Sequence, residues 1–258
     1  MTFPRHKDNQ DNSQSFVHIS PDWYHTALGA AFSGWVGATV ILVWLLTEKA
    51  PALPLLGQFW LSLLPLHIVA FLGAIMVLLK KVPSSRILLV LNLEKPRYCQ
   101  RRIIGFSLLA VLAFYPVSAL VNHLTQIVLW FTGYEAGAPP LGRFLENLDD
   151  FPLLLSMVVG AVLIAPIVEE VLFRLVIFEN LRFLGFWPAA FLVAGAFALL
   201  HGTVSQAPAL FLLGLLLQYS RRRYKTLWAP ISLHAIFNAA AVFLAWYVVT
   251  FTDIPLEF

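Results

Sequence analysis

Charge is what this 258-residue sequence has least of: 12% of its residues are Asp, Glu, Lys or Arg, against about 25% in soluble domains. Apolar residues make up 59%, well above the roughly 45–50% of soluble domains, so a water-soluble globule is excluded. Cys99 is the single cysteine, which rules out an internal disulfide, and no Cys/His cluster marks a structural zinc site. Repeats of about 20–50 residues and low-complexity tracts are absent, which removes support for a solenoid or an inverted-repeat transporter. The net charge of +3 and the pI near 9.1 do not indicate nucleic acid, because Lys and Arg flank apolar runs instead of forming one basic face. Residues 1–22 are polar, with no apolar core ahead of a small-residue cleavage site. They read as a disordered cytoplasmic tail, not a signal peptide.

What the sequence does have is long apolar runs. Crossing about 30 Å of hydrocarbon takes roughly 20 helical residues. The runs at 24–46, 56–79, 103–131, 151–184, 186–200, 207–219 and 226–250 meet or approach that length. The expectation is an all-α, polytopic membrane helix bundle of about seven transmembrane helices, with six and eight as the neighbouring counts. The run 207–219 covers only about 20 Å at 1.5 Å per residue, so a short, tilted or re-entrant helix is expected there. Residues 23–150 read as membrane scaffold helices and 151–252 as the core that carries chemistry. In the first run, Gly29, Ser33 and Gly37 form a small-residue stripe at helical spacing, expected to serve close helix packing.

Basic residues set the orientation, because loops rich in Lys and Arg stay in the cytoplasm. With the amino terminus inside, 14 of the 17 Lys and Arg are cytoplasmic, among them Lys80, Lys81 and the run Arg221, Arg222, Arg223 and Lys225. That run reads as a positive-inside anchor. Lys49 and Arg143 fall outside, and Arg174 alone lies within a span. An inner (plasma) membrane of bacterial type fits this sorting.

The segment Ile167-Val-Glu-Glu-Val-Leu-Phe-Arg174 puts three ionisable residues inside an apolar helix. Each costs about 2.5–3.5 kcal/mol at mid-membrane on insertion scales, so helix formation does not explain them. Glu170 and Arg174 are four apart, acid first, and are expected to pair. Glu169 points about 100° away from that pair, which leaves its carboxylate for other work. Pro166 removes a backbone donor and frees carbonyls that then need protein or water. Two more polar sets follow: Phe197-Ala-Leu-Leu-His201, and His234-Ala-Ile-Phe-Asn238 with imidazole and amide on one helix face. Glu169, His201, His234 and Asn238 all fall within about 12–22 Å of the cytoplasmic face, so one wet cavity could gather them. His67 and His123, in earlier runs, read as helix-to-helix hydrogen bonds.

A carboxylate, two imidazoles and an amide supply a base to activate water and donors for an oxyanion, as amide hydrolysis requires. The rival chemistry is Zn²⁺ on Glu169, His201 and His234 with a bound water, which has the right ligand types but no HExxH helix. Ser205 and Ser232 lie near the histidines, but neither sits in a GxSxG elbow. Two other classes stay open: a non-proteolytic membrane scaffold or immunity factor, and a proton-coupled transporter using Glu169 as carrier.

The three motifs in order, Glu-Glu-x-x-x-Arg (Glu169, Glu170, Arg174), Phe-x-x-x-His (Phe197, His201) and His-x-x-x-Asn (His234, Asn238), resemble those of the CPBP family of intramembrane proteases. That family comprises CAAX prenyl endopeptidases and bacteriocin-processing (Abi) proteins. The resemblance covers about residues 152–250, including Leu-Trp-Ala-Pro-Ile-Ser-Leu-His before the third motif. It implies a catalytic set of Glu169 and His201 for water activation, with His234 and Asn238 for the oxyanion. Glu170, Arg174 and Phe197 then support the site. It implies a membrane-anchored protein or peptide as substrate and membrane lipid as surroundings. The family is described in both metal-dependent and metal-free forms, and the metal-free form, with no cofactor, is the expectation. Residues 1–150 carry no signature tied to a substrate.

Overall fold

The computed structural model of the chain describes residues 25–31, 33, 34, 37, 38, 41, 53–63, 69–81, 99–134, 144, 147, 149–201 and 204–252. The tail 1–22 and His67 lie outside the described residues. Described secondary structure is helical throughout, as the apolar patterning predicts. Helix α1 is Leu55–Leu63, α2 is Ala70–Lys81 and α3 is Gln100–Phe131. Helix α4 runs over Phe151–Leu184, α5 over Phe186–Leu200, α6 over Ala207–Tyr224 and α7 over Trp228–Phe251. Among the described residues, α3, α4 and α7 are long and apolar enough to cross a membrane, and α5 is a shorter apolar helix. The chain is an integral membrane protein with an all-α bundle.

Helix α4 is the axis of the fold. Its 34 residues would extend about 50 Å at 1.5 Å each, more than the hydrocarbon thickness. Its hydrogen-bond register is not uniform: π turns occupy Val158–Ile164 and Val171–Ile177, with an α-helical stretch Ala165–Glu170 between them. Such π insertions concentrate at functional sites. Helix α1 packs on the first turns of α4, where Phe59, Leu63, Phe144, Leu153 and Met157 form a buried cluster and Trp60 Nε1 donates to Ser156 Oγ at 3.2 Å. Phe144 comes from the stretch between α3 and α4; its ring meets Phe59 edge-on at 5.4 Å. Helix α2 and residues 25–31 pack on the second half of α4 through Ala27, Ala31, Ala74, Val171 and Leu175.

The small-residue stripe is corrected by the structure. Gly29 and Gly37 have nothing near the place a Cβ would occupy, whereas at Gly73 a Cβ would sit 3.0 Å from Ala30 O and at Gly34 3.1 Å from Val69 Cγ1. The contact thus uses the neighbouring face of the first helix. Spacing shows that small residues recur, but not which face meets a partner. His123 is exposed on α3 and makes no helix-to-helix hydrogen bond among the described residues.

Helices α5 and α6 form an antiparallel hairpin. With 15 residues, α5 rises about 22 Å, too little to cross, and α6 returns over about 27 Å. The run expected to end at Tyr219 therefore continues helically to Tyr224. Arg221, read from sequence as a cytoplasmic anchor, instead lies in the last turn of α6, buried, 3.0 Å from Glu179 on α4. The hairpin is tight because Gly214 faces Ala194: a Cβ there would meet the Ala194 Cα at 3.0 Å. Helix α3, although in the amino-terminal half, packs against α6 and α7, with Tyr115 Oη donating to Phe237 O at 3.3 Å.

Candidate active site

Three chain segments build the site. The α-helical stretch of α4 presents Glu169 and Glu170, the C-terminal end of α5 presents His201, and the second turn of α7 presents His234. Glu169 and Glu170 are neighbours in a helix, so their side chains diverge by about 100°. Glu170 Oε2 lies 3.0 Å from Arg174 Nε, and both side chains are fully buried. The pair is present as its spacing requires. Arg174 Nη2 also donates to Gly214 O at 3.2 Å, and its guanidinium lies 4.9 Å from the centre of the Phe197 ring. One arginine thereby joins α4, α5 and α6 in a fully buried region, where its planar group suits both a carboxylate and an aromatic face.

Glu169 meets both imidazoles. Its Oε2 is 3.8 Å from His201 Nε2 and 3.8 Å from His234 Nε2. These separations exceed direct hydrogen bonds but suit three groups that address one small molecule. The other nitrogen of each ring fixes its tautomer. His201 Nδ1 is 2.6 Å from Phe197 O; a carbonyl only accepts, so Nδ1 carries a proton and donates, and Nε2 faces Glu169. His234 Nδ1 is 2.9 Å from Glu170 Oε1, and a carboxylate held against a guanidinium accepts, so this Nδ1 also donates. Phe197 serves twice, through its carbonyl and through its ring, which meets His201 at 4.5 Å and His234 edge-on at 5.7 Å. His201 is the most accessible of the three, with 28% of its side chain exposed against 5% for Glu169.

Asn238 stands one turn beyond His234 on the same face of α7. Its Nδ2 donates to Ala161 O at 2.7 Å, so one of its two N–H groups is committed to the backbone of α4. The contacts that sequence reasoning missed are Glu170 to His234, Arg174 to Gly214, and Asn238 to Ala161. The contact readable from spacing was the pair of Glu170 with Arg174.

Glu169, His201 and His234 have the donor types of a zinc site, and each histidine has the outer partner that such sites use. As placed, however, no group of three or more His, Cys, Asp or Glu among the described residues could hold a metal ion.

Residues 151–240 match the family described as type II CAAX prenyl endopeptidase Rce1-like. Over 181 residues the chain is 24% identical to the protein called "Putative membrane peptidase YdiL" of Bacillus subtilis (strain 168), covering 68% of each chain. No solved structure matches it.

Proposed function

We propose, from the match of residues 151–240 to the type II CAAX prenyl endopeptidase Rce1-like family, that this protein is an intramembrane endopeptidase working by glutamate-activated water. The substrate is a peptide bond in a membrane-anchored protein or peptide, prenylated CAAX proteins being one such class. The observation that carries the reading is the meeting of two imidazole Nε2 atoms at one oxygen of Glu169, each at 3.8 Å.

In this reading Glu169 takes a proton from water as the water oxygen bonds to the scissile carbonyl carbon. The carbonyl oxygen becomes an oxyanion. When His234 carries both protons, its Nε2–H donates to that oxyanion while Nδ1–H stays on Glu170, and the second N–H of Asn238 donates beside it. The proton then passes from Glu169, shared with His201 Nε2, to the leaving nitrogen. The C–N bond breaks, leaving a carboxyl and an amine terminus. Glu170, Arg174 and Phe197 hold the imidazoles and touch no substrate.

Membrane peptides from cells expressing the wild type should carry new termini that disappear with Glu169→Gln at equal levels of folded protein. Identical termini in both would sink the protease reading. The site works without a metal in this proposal, so a strong zinc chelator should leave cleavage of the identified substrate unchanged. Loss of activity that Zn²⁺ restores would instead make it a metalloprotease.

The amino terminus is cytoplasmic and the membrane an inner membrane of bacterial type, a reading supported by the sorting of basic residues. Cys99 is exposed at the start of α3, beside Arg101 and Arg102, and so reports on that side. An impermeant maleimide should label it in inside-out vesicles and not in intact spheroplasts; the reverse pattern would invert the topology.

A further inference from the structure

The π turn before the glutamates ends where its donors end. Ala165 N–H donates to Gly160 O, five residues back. The next donor in that register is residue 166, which would serve Ala161 O. Residue 166 is proline and has no N–H. Ala161 O instead accepts from Asn238 Nδ2 at 2.7 Å. Without that donor the carbonyl would need water or another protein group, as every backbone polar group at membrane depth does. The adjoining groove, lined by Leu154, Val158, Val162, Val242, Phe243 and Trp246, presents an apolar surface.

We propose that Asn238 supplies the hydrogen bond that Pro166 cannot, and so holds in register the turn of α4 that carries Glu169 and Glu170. Helix α7 then grips α4 on both sides of the proline. Asn238 holds Ala161 ahead of it, and His234 holds Glu170 behind it at 2.9 Å. Side chain and proline form a matched pair. Proline lets the helix return from π to α register, with Glu169 three residues on, and the amide removes the penalty of the orphaned carbonyl. This assignment makes Asn238 a positioning residue whether or not its second N–H also meets substrate, and it does not depend on the chemistry proposed above.

The test is a double-mutant cycle on the full-length protein in detergent. Asn238→Ala should lower the midpoint of thermal unfolding. In the Pro166→Ala background residue 166 regains an N–H, and Ala161 O regains a backbone donor in either the π or the α register. There Asn238→Ala should lower the midpoint by less than half as much. Hydrogen exchange gives the local readout: peptides covering 160–170 should exchange faster in Asn238→Ala and recover when Pro166→Ala is added, while peptides of α5 stay unchanged. Equal losses in both backgrounds, or faster exchange spread evenly over the chain, would overturn the assignment. Should Asn238→Ala fail to fold, recovery of folded protein on adding Pro166→Ala supports the pairing, and failure to recover overturns it.

Discussion

Glu169→Gln is expected to lower the rate of peptide cleavage by about 10²–10⁴-fold, the range that a positioned proton-transfer group contributes, while the protein remains folded. The two side chains have the same shape, so the space between the imidazoles stays filled. The amide has no basic oxygen able to take a proton from water, so the chemical step fails. Glu169 is also outside the buried ion pair that ties α4 to its neighbours, since Arg174 lies against Glu170. Turnover of the substrate identified by its termini, measured with equal amounts of monodisperse protein, checks this. Cleavage at the wild-type rate would remove Glu169 from the reaction and leave the transporter or scaffold reading standing.

Arg174→Met should act on folding, and strongly. It strips the fully buried Glu170 of its cation, and breaking one partner of a buried pair costs about 3–5 kcal/mol because a charge is left uncompensated. The bond to Gly214 O and the contact with Phe197 go with it, which loosens α5 and α6 from α4. Most of this cost is the stranded carboxylate, so adding Glu170→Gln to Arg174→Met should recover a large part of the lost stability. Thermal unfolding of the single and double variants in detergent measures both effects. A single variant as stable as the wild type would show that the pair contributes no net stability, as some buried pairs do not.

These two expectations also separate what each glutamate does. Adjacent in sequence and chemically identical, they differ because a helix turns about 100° per residue. One faces a guanidinium in its own helix, and the other faces two imidazoles from other helices. The i, i+4 pairing of Glu170 with Arg174 was readable from the sequence, since both ends lie on one helix face. That Glu170 also orients His234 was not, because that contact spans 64 positions along the chain. The same holds for Asn238: its spacing from His234 puts both on one face of α7, but only the packing of α7 on α4 brings its amide to Ala161 O.

Sequence by itself determined the solvent, the helical class and the three motifs, because these rest on composition and on periodicities within single segments. It also marked Pro166 as a place where backbone carbonyls would need help. Tertiary structure decided which faces meet. It exposed Gly29 and Gly37 and used Ala30, Gly34 and Gly73 instead; it buried Phe144 and Arg221; and it carried α6 through its basic run to Tyr224. It also brought His201 and His234 to the same oxygen of Glu169. The physical reason is that helix formation in hydrocarbon is satisfied within each segment, whereas the choice of partner face depends on van der Waals fit and on polar groups with nowhere else to bond, both of which exist only once the helices are side by side.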